Sequence, residues 1–126
     1  MKKLLTLSIT IILALACIFA TACDNVKGHY TLKSIEFGFT HINIGEDYNG
    51  QPLTSGYVVL ELAGDNTANL TIGNLSLNGT WEKVKTDDDD ILLKLGAVQI
   101  FAEFDDGELE FTYHGIEYTM IKAING

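Results

Sequence analysis

Through most of its length the chain alternates apolar and polar residues in short runs, and this period of two constrains the fold most strongly. Successive side chains of a β-strand point to opposite faces, so strict alternation indicates a strand with one buried face. The run LSLNGTWEKV, for example, places on one face Leu75, Leu77, Gly79 and Trp81. The runs ELEFTYH and AVQIFAEF alternate in the same way, except that Phe101 falls on the polar side of its strand.

Turn-forming residues separate these runs at regular intervals. Glycine and Asp-Gly pairs supply the positive φ angles that tight hairpin turns require. The pattern predicts eight strands, near residues 29–37, 57–63, 67–72, 75–84, 90–95, 98–104, 108–113 and 116–123. Eight hairpin-connected strands can close on themselves and leave no open edge. The predicted fold is therefore all-β, an antiparallel up-and-down meander of about eight strands forming a small barrel or half-barrel.

Four consecutive aspartates, Asp87 to Asp90, are the densest group of carboxylates in the chain. A calcium-binding EF-hand needs spaced oxygen ligands, a glycine at its sixth position and a glutamate at its twelfth. The residues that follow Asp90, ILLKLG, supply none of these. Aspartate is also frequent in turns. We therefore predict that the four aspartates form the exposed turn of a hairpin and that the chain has no metal site.

The N-terminal region has the pattern of a secretion signal. Lys2 and Lys3 are followed by no charged residue before Asp24, and the small residues of ATA precede Cys23. A cysteine at such a boundary resembles the lipid acceptor of bacterial lipoprotein signal peptides. Cys17, the only other cysteine, lies in the apolar stretch, so the mature domain cannot contain an internal disulfide.

We predict from this pattern a lipoprotein-type signal peptide over residues 1–22 and one domain over residues 23–126. The protein is expected to be exported and held at the cell membrane or cell surface by a lipid on Cys23. Two alternatives stay open. One is an uncleaved apolar segment, since about 20 such residues cross a bilayer; the other is secretion with a free cysteine.

The charge balance excludes some partners. Two of the eight lysines precede Cys23, all seventeen acidic residues follow it, and arginine is absent, so the mature chain carries a net charge of −11. Such a chain repels phosphate backbones, which argues against nucleic-acid binding. It is also repelled by anionic lipid surfaces, so membrane attachment requires the lipid or a retained apolar segment.

Several short motifs match those of a known family. They are Gly28–His29–Tyr30, LELAGDNTANL (60–70), GTWE (79–82), DDGELEF (105–111) and YTMIK (118–122). With these motifs the mature chain resembles the small lipocalin-like domains of bacterial secreted lipoproteins. In the resemblance, Tyr30 stands where lipocalins have a tryptophan, and Lys122 is the nearest counterpart of the arginine that stacks on it. The family implies a barrel that can hold a small apolar molecule.

The resemblance makes five aromatic residues candidates for lining such a site: Trp81, Phe104, Phe111, Phe39 and Tyr48. An eight-stranded barrel is only just wide enough for its own side chains. We therefore expect Trp81, Phe104 and Phe111 to be core residues rather than pocket residues. The long apolar segment 37–56 has two interpretations, a lid over the barrel mouth or a plug with an extra strand. The plug is favoured.

Catalysis has no basis in the sequence. The three histidines are scattered, and no Gly-x-Ser-x-Gly motif, phosphate-binding loop or cysteine nucleophile occurs in the mature domain. We predict no catalytic residue and no cofactor. Two functional classes remain: a tethered protein that binds a small apolar ligand in its barrel, and a surface module with a filled core that binds a protein partner. Candidate residues for that surface are Val59, Leu92, Phe101 and Ile121.

Replacement of Cys23 tests the predicted anchor. A diacylated cysteine provides the two acyl chains that stable membrane attachment needs. We expect Cys23→Ala to release the protein from the membrane fraction into the medium, as measured by fractionation and immunoblotting. If Cys23→Ala remains membrane-bound, the uncleaved apolar segment is the anchor instead.

Overall fold

A computed structural model describes residues 26–84 and 87–123. The predicted signal peptide and Cys23 lie outside these residues. The strands are β1 Gly28–Phe37, β2 Thr40–Asn43, β3 Asp47–Tyr48, β4 Gln51–Pro52, β5 Val58–Leu62, β6 Thr67–Ile72, β7 Leu75–Val84, β8 Asp87–Leu95, β9 Val98–Asp105, β10 Glu108–Tyr113 and β11 Ile116–Lys122. One 3-10 turn, Ser55–Tyr57, precedes β5. The described residues include no helix long and apolar enough to span a bilayer.

Eight of these strands, β1 and β5 to β11, form a closed antiparallel barrel. Strands β5 to β11 each pair with the next along the chain, and β1 pairs with both β5 and β11 to close it. The predicted all-β up-and-down barrel is confirmed. The strand bounds agree with the predicted ones to within one residue, except at the start of β8.

The prediction that Asp87 to Asp90 form a turn is wrong, because all four belong to strand β8. Asp87 pairs with Val84 of β7, and Asp90 pairs with Glu103 of β9. The turn preference of aspartate is local, whereas pairing with β7 at Asp87 and with β9 at Asp90 places both ends of the run in the sheet.

The barrel interior is filled by side chains. Its largest fully buried residues are Tyr30, Leu32, Ile35, Leu60, Leu70, Ile91, Leu93, Leu95, Leu109, Met120, Val26 and Val58. They come from six of the eight barrel strands and from the segment before β1. Trp81, 3% exposed, adds β7, and Ala102, 1% exposed, adds β9. An interior of this width is occupied by its own core.

Trp81 is fixed by three hydrogen bonds to the β5–β6 turn. Its indole Nε1 donates to the carbonyl oxygen of Ala63 at 2.9 Å. Its backbone N–H donates to the carbonyl of Asn66 at 2.9 Å, and its carbonyl accepts from Asn66 Nδ2 at 3.0 Å. The buried ring therefore has its polar atom satisfied, which a buried tryptophan requires.

Strand β7 is staggered between its two neighbours. It pairs with β6 from Leu75 to Thr80, but with β8 only from Thr80 onward. The beginning of β7 therefore extends beyond β8, and Leu75 is 41% exposed although its strand face was predicted to be buried. Gly79 lies at the start of the pairing with β8, where an added Cβ would be 1.8 Å from the carbonyl oxygen of Lys94.

The segment 37–56 contributes an extra strand, β2, and a cap, the name we give to β3, β4 and the residues that follow β4 up to residue 56. Strand β2 pairs with the second half of β1, and the short strands β3 and β4 pair with each other. Leu53 is buried in the core, while Phe37 and Ile42 pack against it. The extra strand is confirmed, and the burial of Leu53 agrees with the plug interpretation.

Strand β2 is at the edge of the sheet, but part of that edge is already bonded. The Ile44 N–H donates to the Lys33 carbonyl in β1. Because the backbone groups of successive strand residues point alternately to the two sides of the strand, the N–H and carbonyl of Asn43 point away from β1. There the Asn43 N–H donates to Glu46 Oε1 at 2.7 Å. The Asn43 carbonyl accepts from the Glu46 N–H at 3.1 Å. With the outward groups of Asn43 bonded, His41 is the residue of β2 whose N–H and carbonyl still face outward for a further strand.

The close approach at Gly79 is testable by Gly79→Ala. A methyl group there would force the β7 and β8 backbones apart, and we expect a loss of about 1–3 kcal/mol or more in the free energy of unfolding. Gly56→Ala is the matched control, because nothing lies within 4 Å of its added Cβ. Urea denaturation of both variants measures the difference. Equal stability of the two would contradict the strand register at Gly79.

Candidate functional site

The five predicted ligand-lining residues do not converge on one site. Trp81 is bonded to the β5–β6 turn, and Phe39 is fully exposed in the β1–β2 turn at the other end of the barrel. Phe104 is half-buried in β9, opposite Leu109. Tyr48 lies in the cap rather than in the barrel wall.

Phe111 belongs to the aromatic packing of the core. It is buried and lies opposite Tyr118, with the two rings stacked at a centroid distance of 5.2 Å. Burial raises the pKa of Tyr118 to about 12, and the neighbouring tyrosines add to the shift. Tyr30 and Lys122, which the family resemblance associates, are directly opposite each other in the β1–β11 ladder.

The outer face of β8 and β9 carries a small apolar group that we call the outer patch, formed by Leu92 and Phe101. The two residues are directly opposite each other across the strands. The Phe101 side chain is 65% exposed, as its place on the polar face of AVQIFAEF predicted. Two depressions adjoin it, of about 300 Å³ towards β10 and about 270 Å³ towards β7.

A row of carboxylates crosses the same face beside the outer patch. Asp90 is opposite Glu103, and Glu103 is opposite Glu110, on three consecutive strands. Among the described residues, no Lys or His nitrogen lies within salt-bridge distance of Glu103 or Glu110. Desolvation, followed by the charges of Glu117 and Glu103, raises the pKa of Glu110.

The other two predicted surface residues, Val59 and Ile121, form a separate group. Both lie opposite Thr31 of β1, on its two sides. Ile121 is 37% exposed and Val59 is half-buried. The four predicted surface residues therefore all lie outside the barrel, but they form two groups.

The cap contains a further depression, which we call the capping groove. Its volume is about 240 Å³ and it is lined by Tyr48, Asn49, Gln51, Pro52, Leu53, Thr54 and Tyr57. The rings of Tyr48 and Tyr57 meet edge to face, with centroids 5.9 Å apart. Burial raises the pKa of Tyr57, and the adjacent Tyr48 adds to it.

The histidines are placed separately and each has a local partner. His29 Nδ1 is 2.9 Å from Glu61 Oε1, and His41 lies between Glu36 and Asn43. His114 packs edge to face on the neighbouring Tyr113. Within the described ranges, no three His, Cys, Asp or Glu side chains are grouped so as to hold a metal ion.

Two features of these surfaces were not found from the sequence. The carboxylate row depends on the register between strands, which alternation within a strand does not determine. The hairpin of the capping groove did have a local signal, the Asn49–Gly50 pair. Asn-Gly between two extended residues favours a two-residue hairpin turn, and both residues adopt positive φ here.

Comparison with known proteins gives no family for the chain: no family model, no curated protein and no solved structure matches it. The fold itself, a closed antiparallel barrel of eight strands, is consistent with the lipocalin-like architecture.

The carboxylate row predicts that Glu110→Gln stabilises the protein at neutral pH. Because the pKa of Glu110 is raised in the folded state, folding favours its protonated form, and stability falls as pH rises above the ordinary glutamate pKa of about 4.3. Like charges opposite each other cost about 0.2–1 kcal/mol. We expect a gain of that size at pH 7, measured by urea denaturation, that disappears near pH 3.

Glu82→Gln is the control for this prediction. Glu82 is also an exposed glutamate on an outer strand face, but its Oε1 is 2.9 Å from Lys94 Nζ. Its replacement removes an attraction and brings no gain at pH 7. A gain in Glu82→Gln as large as that in Glu110→Gln would mean that overall negative charge, and not the carboxylate row, sets the effect.

Proposed function

We propose that this protein is an exported, non-catalytic barrel, tethered through a lipid on Cys23, that binds a partner protein with its outer patch. The observation that carries the proposal is the exposure of Phe101. A phenylalanine that is 65% exposed on a strand face, opposite a second apolar residue, gains from a partner that covers it.

The packed interior favours a function on the outer surface rather than the binding of a ligand inside the barrel. The candidate aromatic residues Trp81 and Phe111 are 3% and 2% exposed; Trp81 is hydrogen-bonded to the β5–β6 turn, and Phe111 stacks on Tyr118. The four depressions of 240–320 Å³ described on this chain lie on the outer strand faces, at a turn or on the cap, and only the one towards β10 includes core residues of the barrel strands, Ala102 and Phe111, in its lining. A small apolar ligand would have to displace core side chains to enter.

The charges beside the outer patch indicate the chemistry of the partner. Glu103 and Glu110 face solvent without a cation of their own among the described residues. Their repulsion is relieved by lysine or arginine side chains brought by another molecule. The partner is therefore a protein segment with an apolar side chain for Phe101 and basic residues on either side of it.

The tether would set the orientation of this surface. Cys23 is three residues before Val26, which is buried at the end of the barrel where β1 begins. Three residues span at most about 11 Å. A lipid on Cys23 would therefore hold that end of the barrel close to the membrane, with the outer patch on the side wall, accessible to a neighbouring protein.

Site-specific photo-crosslinking in the host tests the proposal. Benzoylphenylalanine is placed at Phe101, or at Asn69 as an exposed control on the outer face of β6. We expect one discrete protein adduct from position 101 and none from position 69. Adding Glu103→Lys and Glu110→Lys to the position-101 variant is expected to reduce the adduct at least tenfold, because it reverses the charges that attract the basic partner.

The contrary outcomes are equally specific. Equal adducts from both positions, or an adduct that the charge reversal leaves unchanged, would contradict binding through the outer patch. Saturable quenching of Trp81 fluorescence by a small hydrophobic dye would favour the barrel-ligand function instead, since Trp81 reports on the interior.

A further inference from the structure

The capping groove differs from the other described depressions in its charge. Each of the others includes at least one glutamate in its lining, and the one at the β9–β10 turn is lined by acidic residues alone. The capping groove contains no side chain that is charged at neutral pH. In a chain of net charge −9, this makes it a suitable place for an uncharged ligand.

Its polar side chains are not used by the fold. Asn49, Gln51 and Thr54 take part in no side-chain hydrogen bond within the described chain, and Thr54 does not cap the 3-10 turn that follows it. Two amides and a hydroxyl provide both donors and acceptors at one site. They can bind a ligand that itself carries many neutral donor–acceptor groups.

Aromatic rings form the remaining wall. Tyr48 and Tyr57 are half-buried and edge to face, an arrangement that leaves ring surface for a flat apolar face of a ligand. Pro52, which is exposed, and Leu53, which is buried, add apolar surface to the lining. The groove therefore combines aromatic surface with neutral hydrogen-bonding groups, and a sugar ring presents the same combination, C–H faces and hydroxyl edges.

The groove is also held in a fixed shape. The β3–β4 hairpin turns through Asn49 and Gly50, with φ of 56° and 87°. Leu53 is buried, and its backbone is bonded on both sides. Its N–H donates to the Glu46 backbone carbonyl at 2.8 Å, and its carbonyl accepts from the Gly45 N–H at 2.7 Å. A preformed site loses less conformational freedom on binding than a loop that must be ordered.

We infer that the capping groove binds a neutral saccharide unit, with the tyrosine rings against the sugar face and Gln51, Asn49 and Thr54 bonded to its hydroxyls. The site is on the cap and shares no residue with the outer patch, so it is a second binding function independent of the proposed one. A volume of about 240 Å³ suits a short saccharide segment and not a large apolar ligand.

The test uses the full chain, ¹⁵N-labelled, in a detergent without a sugar headgroup. The neutral probes are cellobiose, maltose and N,N′-diacetylchitobiose, and digalacturonate is the charged comparator. We expect saturable shifts of the Asn49 and Gln51 side-chain amide signals with at least one neutral probe, at a dissociation constant of about 10 mM or tighter. Digalacturonate is expected to give no saturable shift.

Matched variants locate the site. We expect Gln51→Ala and Thr54→Ala each to weaken binding about threefold to tenfold, the effect of one lost hydrogen bond. The controls Gln99→Ala and Thr112→Ala remove the same side chains from the exposed outer face of β9 and β10 and leave binding unchanged.

Three results would overturn the inference: no saturable shift with any neutral probe, binding of digalacturonate as strong as that of the neutral probes, or equal weakening in the control variants. Because Glu103 and Glu110 are outside the groove, their double replacement by lysine separates this inference from the proposed function. It reduces crosslinking from position 101 but leaves saccharide affinity unchanged.

Discussion

The hydrogen-bonded ladder between β1 and β11 is the contact on which the rest of the structure depends. It joins the first and last strands of the barrel over Tyr30 to Glu36, and without it the meander would have two open edges. A bulge between Leu32 and Ser34 shifts the register within this ladder. Before the bulge β1 pairs with β5 on its other side, and beyond it with β2. One strand thus closes the barrel and also positions the cap.

Closure leaves little room for a function inside the barrel. The core residues fill the interior, and Trp81 and Tyr30 have their polar atoms bonded to backbone carbonyls of Ala63 and Val26. No side-chain polar atom is left buried without a partner in the described part of the chain. The features that local packing does not explain are on the outside: the exposed Phe101, the carboxylates next to it and the unused amides of the cap. Both proposals therefore concern surfaces.

Strand positions were predictable because their signals are local. Alternation and glycine or Asp-Gly turns act over a few residues, and they located seven of the eight barrel strands to within one residue at each end. What the sequence did not reveal depends on the pairing between strands. The aspartates of β8 look like a turn until Asp87 is paired with β7 and Asp90 with β9, and Leu75 looks buried until β7 is found to extend beyond β8. The family resemblance suggested a site of five aromatic residues, but their separation depends on topology, which short motifs do not specify.

The bonds between Asn43 and Glu46 have a consequence for the behaviour of the protein at high concentration. An open sheet edge is a template on which another chain can add a strand, and continued addition leads to aggregates. In β2 the outward groups of Asn43 are taken by Glu46, so an incoming strand would find free backbone groups only at His41. One residue cannot hold a second strand in register. One residue, Glu46, therefore lets the sheet carry a ninth strand without becoming a nucleus for polymerisation, because its carboxylate and its backbone N–H together occupy the exposed edge, even where many copies are crowded on one surface.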